Sequence, residues 1–265
     1  MICFAAVTPH SPLLLPNIGK ENTEQLSKTR SALQTLSEEL YACRPDTIVI
    51  ISSHEDQHAD AFSLNLHDEY TINFSQFGDL EDAGTFRGDI SLMNEIQDHV
   101  EASDLPFTLD SHETLNYGTG VPLKLLADNV KNARIIPISI SGLGAKEHVQ
   151  FGALLKDVLI NSDKRVAIVA SGDLSHCLSK DAPLGLRSEG AEYDALIQEA
   201  VSNFSTSVLL STSDELLNRA EACVHKQLLI LFGILERVQT RTELLSYEAP
   251  FGVGHLVAQF HFPSV

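Results

Sequence analysis

An α/β fold, with a mostly parallel central sheet flanked by helices on both faces, is predicted by three features of this 265-residue sequence. Short β-branched runs alternate with segments of helical period, the order that builds parallel sheets. Those runs are apolar at consecutive positions, as expected of strands covered on both sides. No repeat, low-complexity tract or linker divides the chain, so residues 1–265 are expected to form one domain.

Ile2–Val7 reads as the first strand. Asn22-Thr23-Glu24-Gln25 has the form of a capping box, and Leu26, Leu33, Leu36 and Leu40 then recur on one helical face. Thr47–Ile51 is β-branched throughout and closes a βαβ unit. Phe62, Leu64 and Leu66 alternate, which suggests an antiparallel excursion between Ala61 and Phe74, and Gly78–Gly88 reads as a long polar loop. Helices fit Ser91–Glu101, Val121–Asn129, Glu147–Ile160 and Ser188–Ser202, with buried strands at Arg134–Ile140 and Arg165–Ala170. The all-apolar stretch Leu228–Phe232 requires a largely buried helix, and Glu243–Tyr247 and His255–Phe262 read as two final strands.

Composition limits the function. With 43% hydrophobic residues the chain can build a large core. Its 18 basic against 36 acidic residues leave a net charge of −18, a field that repels nucleic acid. No apolar run approaches the ~18–20 residues that cross a bilayer, so no membrane role is expected. The N-terminal Met1–Val7 has no basic n-region and is interrupted by Pro9-His10, which reads as a cytoplasmic protein. Cys3, Cys43, Cys177 and Cys223 lack CxxC spacing and read as free thiols.

In open parallel sheets, ligands bind beyond the carboxyl ends of the strands. Three of the 11 histidines fall just there: His10 in Thr-Pro-His-Ser-Pro, His54 in Ser-Ser-His, and His176 in Ser-Gly-Asp-Leu-Ser-His. Taken singly, each is as readily a turn or loop histidine; together they point to one sheet edge. Pro9 and Pro12 stiffen the turn around His10, as a ligand of fixed geometry needs. Two such imidazoles suggest a transition-metal site. Ser11 and Ser175 lie beside histidines but outside any Gly-x-Ser-x-Gly elbow, and Gly118-Thr119-Gly120 lacks the Walker pattern.

The same residues carry a resemblance. Thr8–Pro16 (TPHSPLLLP), Ile50–His54 (IISSH), Tyr117–Leu123 (YGTGVPL), Ile136–Ser139 (IPIS), Ala170–His176 (ASGDLSH) and Pro250–Gly254 (PFGVG) together resemble the catalytic subunit of class III extradiol ring-cleavage dioxygenases, the LigB-like superfamily, which also contains the Memo-like proteins. The resemblance implies a LigB-like fold, with His10 and His54 as metal ligands and His176 as the acid/base. It also implies non-haem Fe(II), with zinc or copper as alternatives, and a small aromatic diol and dioxygen as reactants. Assembly as a homodimer and, in some members, a separate small subunit belong to the same expectation.

The chain departs from the dioxygenase pattern twice. The third ligand, a glutamate in the two-His-one-carboxylate site, aligns with Cys223, as in the Memo-like branch. Glu221, two residues away, reaches the position only if the helix start shifts. A thiolate in the first turn of that helix would be stabilised by the N-terminal dipole, while the plainer reading of Cys223 is a buried core cysteine. Where dioxygenases usually read Asp-His-Gly, this chain reads Asn116-Tyr117-Gly118. Tyrosine can donate to a developing oxyanion but does not shuttle protons near neutrality; His112 is the nearby histidine that could compensate. Asp173 either orients His176 or caps its turn. Cys177 is expected to point away from the site. The leading expectation is thus a metal-dependent, ring-opening dioxygenase. The alternatives are a Memo-like protein that binds metal or peptide without ring cleavage, and a metal hydrolase in the same cleft.

Overall fold

The computed structural model describes residues 1–54, 57–81, 83–130 and 132–263. Its first half runs β1 (Ile2–Thr8), α1 (Pro16–Gly19), α2 (Ser27–Cys43), β2 (Thr47–Ser52), β3 (Phe62–Asn65), β4 (Glu69–Ile72), β5 (Thr85–Arg87), α3 (Ile90–Glu101), β6 (Phe107–Asp110) and β7 (Thr114–Leu115). Then come α4 (Tyr117–Leu126), β8 (Arg134–Ser139), α5 (Ala145–Asn161), β9 (Val166–Ser171), α6 (Ser188–Ser202), α7 (Thr206–Ser211) and α8 (Asp214–Ala220). The chain closes with α9 (His225–Leu235), β10 (Arg241–Glu248) and β11 (His255–His261).

Eight strands form the main sheet in the order β10-β11-β1-β9-β2-β8-β3-β6, and β5-β4-β7 form a small second sheet. The centre, β1-β9-β2-β8, is parallel. Within it β2 and β9 are buried at every residue, as their unbroken apolar sequence requires. Antiparallel pairing enters only towards the edges, through β3 on β8 and through β11 on β1 and β10. Helices α2 and α4 pack together on one face; α5 and α9 cover the other, with α3 against α5. The α/β class and its flanked, mostly parallel sheet are therefore as the sequence predicts. Among the described residues no helix is long and apolar enough to cross a membrane.

Helix α9 shows why an all-apolar stretch folds as it does. Every residue from Gln227 to Leu235 is buried. Gly152 and Gly233 sit where α5 crosses α9: a Cβ on either would press into the carbonyl of Ile230 or Val149. Backbone contact this close seals the helix into the core.

Three local expectations change. The Asn22–Gln25 box does not cap α2; those residues lie in a 3-10 turn, and α2 starts at Ser27 with no side-chain cap of its own. Instead Glu248, from β10, accepts from the Thr29 amide at 2.7 Å, so tertiary structure supplies the cap. Helix α4 begins at Tyr117, four residues earlier than its apolar period suggests, because Asn116 accepts from the Gly118 amide. The segment Gly78–Gly88 is not all loop, since β5 pairs with β4.

Two buried histidines set a pH dependence of stability. In α5, His148 donates from Nδ1 to the Gly144 carbonyl at 2.7 Å and accepts at Nε2 from the Ser141 amide at 3.3 Å, which fixes a neutral ring. Burial lowers both His148 and His225 to about 4. Unfolded histidines take up protons near pH 6.5, so between about 6.5 and 4 the unfolded chain binds more protons than the folded one. Stability is therefore full above that window and falls as pH drops through it, by on the order of a few kcal/mol. Urea titrations at pH 7 and pH 4.5 check this: the midpoint falls at the lower pH in the wild type, and less so in His148→Gln.

Candidate metal centre

Strands β1, β9 and β2 lie side by side and parallel, so the loops that follow them share one sheet edge. His10 and His54 come directly after β1 and β2, and the Gly172–His176 loop follows β9. His10 Nε2 stands 3.1 Å from His54 Nε2 and 3.4 Å from Cys223 Sγ. The donor atoms of His10, His54 and Cys223 all fall within 4.8 Å of one another.

The surroundings prepare these donors. Ser171 gives its one hydroxyl proton to the Gly118 carbonyl, so its oxygen accepts from His10 Nδ1–H at 3.2 Å. That leaves the Nε2 lone pair facing the cluster, the usual device for fixing a ligand tautomer. His54 lies against the N-terminus of α4, where a Cβ on Gly118 would strike its ring and Ser52. Burial, then the neighbouring His10, lowers His54 to about 4, and burial lowers His10 as well. Both rings are neutral, as ligands must be.

Cys223 corrects an expectation. It precedes α9 by two residues rather than lying in its first turn. Burial, then the Asp173 charge, pushes its thiol up. No helix dipole makes it a thiolate; a bound cation would have to displace the proton. Its backbone amide and its sulfur both address Asp173: the Cys223 amide donates to the Asp173 carbonyl at 3.2 Å, and the Asp173 amide donates to Sγ at 3.1 Å.

Asp173 neither holds His176 nor caps the turn that carries it. Its carboxylate accepts from the His10 amide at 3.2 Å and from His255 Nδ1 at 3.1 Å, and lies 3.7 Å from His10 Nε2. Burial raises it, but the imidazoles of His10, His255 and His176 outweigh that and hold the carboxyl below its ordinary range. His255 was not anticipated from sequence, although a histidine opening an otherwise apolar buried strand is a signal that could have found it.

His176 is instead held by backbone: its Nδ1–H donates to the Glu221 carbonyl at 2.8 Å and its amide to the Ala220 carbonyl at 3.1 Å. Among the described residues Nε2 has no hydrogen-bond partner, and the ring lines the cleft. Glu221 contributes that carbonyl from a left-handed conformation (φ 47°) at the end of α8, while its carboxylate pairs with Arg187 at 3.2 Å. It is thus not a rival ligand. Tyr117 places its hydroxyl 3.0 Å from His54 Nε2. Burial, then Cys223 and Asp173, raises the phenol to about 12, so it donates and does not act as a base. His112 does not join the site: it is exposed, its backbone is gripped on both sides by Asn65, and it is not among the residues lining the cleft. Cys177 turns into the protein towards the Arg219 and Ala220 carbonyls, as expected.

The cluster forms the floor of a cleft of about 640 Å³. Leu13, Ile18, Phe77, Leu184, Phe251 and Val253 give it apolar walls, and Phe77 meets Tyr117 edge-on with ring centroids 5.3 Å apart.

The family described as the catalytic LigB subunit of aromatic ring-opening dioxygenase matches residues 4–258. The chain belongs to the LigB family. Among curated relatives, Protein CA_C1420 of Clostridium acetobutylicum is 24% identical over 256 residues, covering 93% of this chain and 55% of its own length. A Mycobacterium sp. protein named 2,3-dihydroxyphenylpropionate/2,3-dihydroxicinnamic acid 1,2-dioxygenase is 26% identical over 227 residues, covering 82% of this chain and 69% of its own. The LigB chain thus spans only about half the length of the clostridial relative. The crystal structure of an uncharacterized protein from Escherichia coli K12 superposes with a TM-score of 0.65 at 17% identity, covering 97% of this chain and 99% of that one, which shows a shared fold.

The donor set fits a transition metal. Two neutral imidazoles and a thiol, with a buried carboxylate behind them, suit a divalent ion of borderline softness such as Fe(II) or zinc. They do not make the two-His-one-carboxylate face expected of dioxygenases.

Proposed function

We propose that this LigB protein opens the ring of a small, uncharged aromatic diol with dioxygen, using Fe(II) held by His10, His54 and Cys223. The observation that carries the reading is the convergence of these three donors with the free Nε2 of His176 at the floor of one apolar cleft. When bound, the metal supplies a centre at which diol and dioxygen are held in register and exchange charge. His176 Nε2 takes the proton released by a diol hydroxyl and returns it as the ring opens. The Tyr117 hydroxyl donates to the oxygen on which negative charge develops. Asp173 holds the His10 turn in place through its amide. The apolar walls stack the ring and exclude water.

Charge at the cleft supports an uncharged substrate. Among the described residues that line it are two carboxylates, Asp173 and Glu221, and no Lys or Arg. A carboxylated diol would find no Lys or Arg among these lining residues to pair with. After anaerobic loading with Fe(II) and admission of air, catechol and its alkyl derivatives are expected to give a yellow ring-opened product. Their kcat/KM should exceed that of protocatechuate by roughly tenfold or more. The absence of product from the whole panel, with one metal bound per chain, overturns the proposal.

Cys223 favours a second reading, a Memo-like or hydrolytic protein, because its sulfur suits softer or redox-inert metals. Elemental analysis of protein purified without added metal separates the readings. Iron supports the oxygenase, zinc the hydrolase with a metal-bound water as nucleophile, and copper or no metal the Memo-like protein.

A further inference from the structure

We propose that Cys3 and Cys43 are an oxidisable dithiol, reacting with low-molecular-weight disulfides to form an intramolecular cross-link between β1 and α2. Their sulfurs lie 2.6 Å apart, about half an ångström beyond the ~2.05 Å of a disulfide bond. Little movement separates the reduced pair from the bonded one.

Both partners are placed by local features. Pairing of β1 with β9 slips between Ile2 and Phe4, so Cys3 is the extra residue of a β-bulge. Bulges re-aim side chains, and here the bulged cysteine is half-buried between buried neighbours on either side. Cys43 is the last residue of α2, which Arg44 ends in a left-handed conformation (φ 47°). A thiol at a helix C-terminus ordinarily meets the negative end of the helix dipole. Arg165 offsets that end, donating from Nε and Nη2 to the Cys43 carbonyl at 2.9 and 2.6 Å. Cys3, Cys43 and Arg165 line a surface cleft of about 560 Å³, which admits a small reagent.

The two sulfurs have different roles. The hydrogen bond with Cys3 lowers the Cys43 thiol, burial opposes this, and Arg165 lowers it further; Cys3 is raised by the same bond and by burial. Arg165, bonded to the Cys43 main chain, sets its positive charge beside this thiol, and Cys43 is the attacking thiolate. It attacks one sulfur of R–S–S–R; that S–S bond breaks, a Cys43–S–S–R bond forms, and the departing R–S⁻ takes the proton Cys43 gave up. Cys3 then loses its proton and attacks Cys43 Sγ, expelling the second R–S⁻, which takes that proton. The dithiol is oxidised by two electrons and the reagent is reduced to two R–SH. The product closes a covalent ring over residues 3–43, within which His10 lies.

The test treats reduced, folded, full-length protein with glutathione disulfide, followed by alkylation and peptide mapping. The expected result is a Cys3–Cys43 linked peptide, an intact mass lower by two hydrogens at that pair, and a Tm raised by roughly 5–10 °C. Cys3→Ser should trap glutathione on Cys43, whereas Cys43→Ser should leave Cys3 free. Full alkylation of Cys3 and Cys43 in the treated wild type, or a stable glutathione adduct at Cys43 with Cys3 intact, overturns the proposal. Because the wild-type map needs no substitution, it stands even if a variant fails to fold.

Discussion

Cys223→Ala should lower metal affinity by more than about 100-fold while leaving the fold intact. The substitution removes one of the three donors that cluster among the described residues, and losing even a supporting partner of a ligand costs 10–100-fold. The fold survives because what ties this segment to the sheet edge is backbone: the Cys223 amide still donates to the Asp173 carbonyl, and Val224 still closes the core against Gly172. Titration of the apoprotein with Co(II) reads the change directly. The wild type should show thiolate-to-cobalt charge transfer in the near ultraviolet, and Cys223→Ala should not. An unchanged cobalt spectrum would falsify the ligand assignment, whatever the activity. Cys223→Glu offers the carboxylate that the dioxygenase pattern contains, and it should bind Co(II) without the charge-transfer band.

That the centre could be found in the sequence at all follows from topology. His10, His54 and His176 stand immediately after apolar runs, and in a parallel sheet such runs end at one edge. Local pattern therefore fixes their common location without any knowledge of distance. Cys223 has no such signature, since it follows an α-helix; only its resemblance to the Memo-like branch brought it forward. The residues that reading missed or misplaced are joined by contacts between distant segments. Asp173 serves His255 and the His10 amide rather than His176, because the loop after β9 folds back on α8 and presents the Glu221 carbonyl to that ring. Ser171, the last residue of β9, sets the His10 tautomer. The N-terminus of α2 is capped from β10, and Cys3 meets Cys43 through a bulge. Periodicity cannot report such pairings, because each depends on two elements that pack only after the sheet has formed. His112 failed for the opposite reason: nearness in sequence to Tyr117 does not outweigh a strand and a turn that carry it away from the cleft.

His176→Ala should reduce turnover by about 10²–10⁴-fold, the usual contribution of a positioned acid/base, with metal content unchanged. The ring is not a metal donor, and the carbonyl that holds it belongs to the main chain, so its removal leaves His10, His54 and Cys223 as they were. The distinguishing variant is His176→Gln. A glutamine amide can still donate to the Glu221 carbonyl and fill much of the same space, yet it cannot accept and return a proton. If His176 acts by proton transfer, Gln should be nearly as inactive as Ala, and the pH–rate profile should lose one limb in both. If the residue only shapes the cleft, Gln should retain activity within a few-fold of wild type. Substrate binding gives the companion readout: with Tyr117 and the apolar walls untouched, KM should change far less than kcat, which assigns the loss to the reacting state. The position of Nδ1 makes this test sharp. A carbonyl acceptor at 2.8 Å commits that nitrogen to carrying hydrogen, so the proton traffic of this ring has to pass through Nε2.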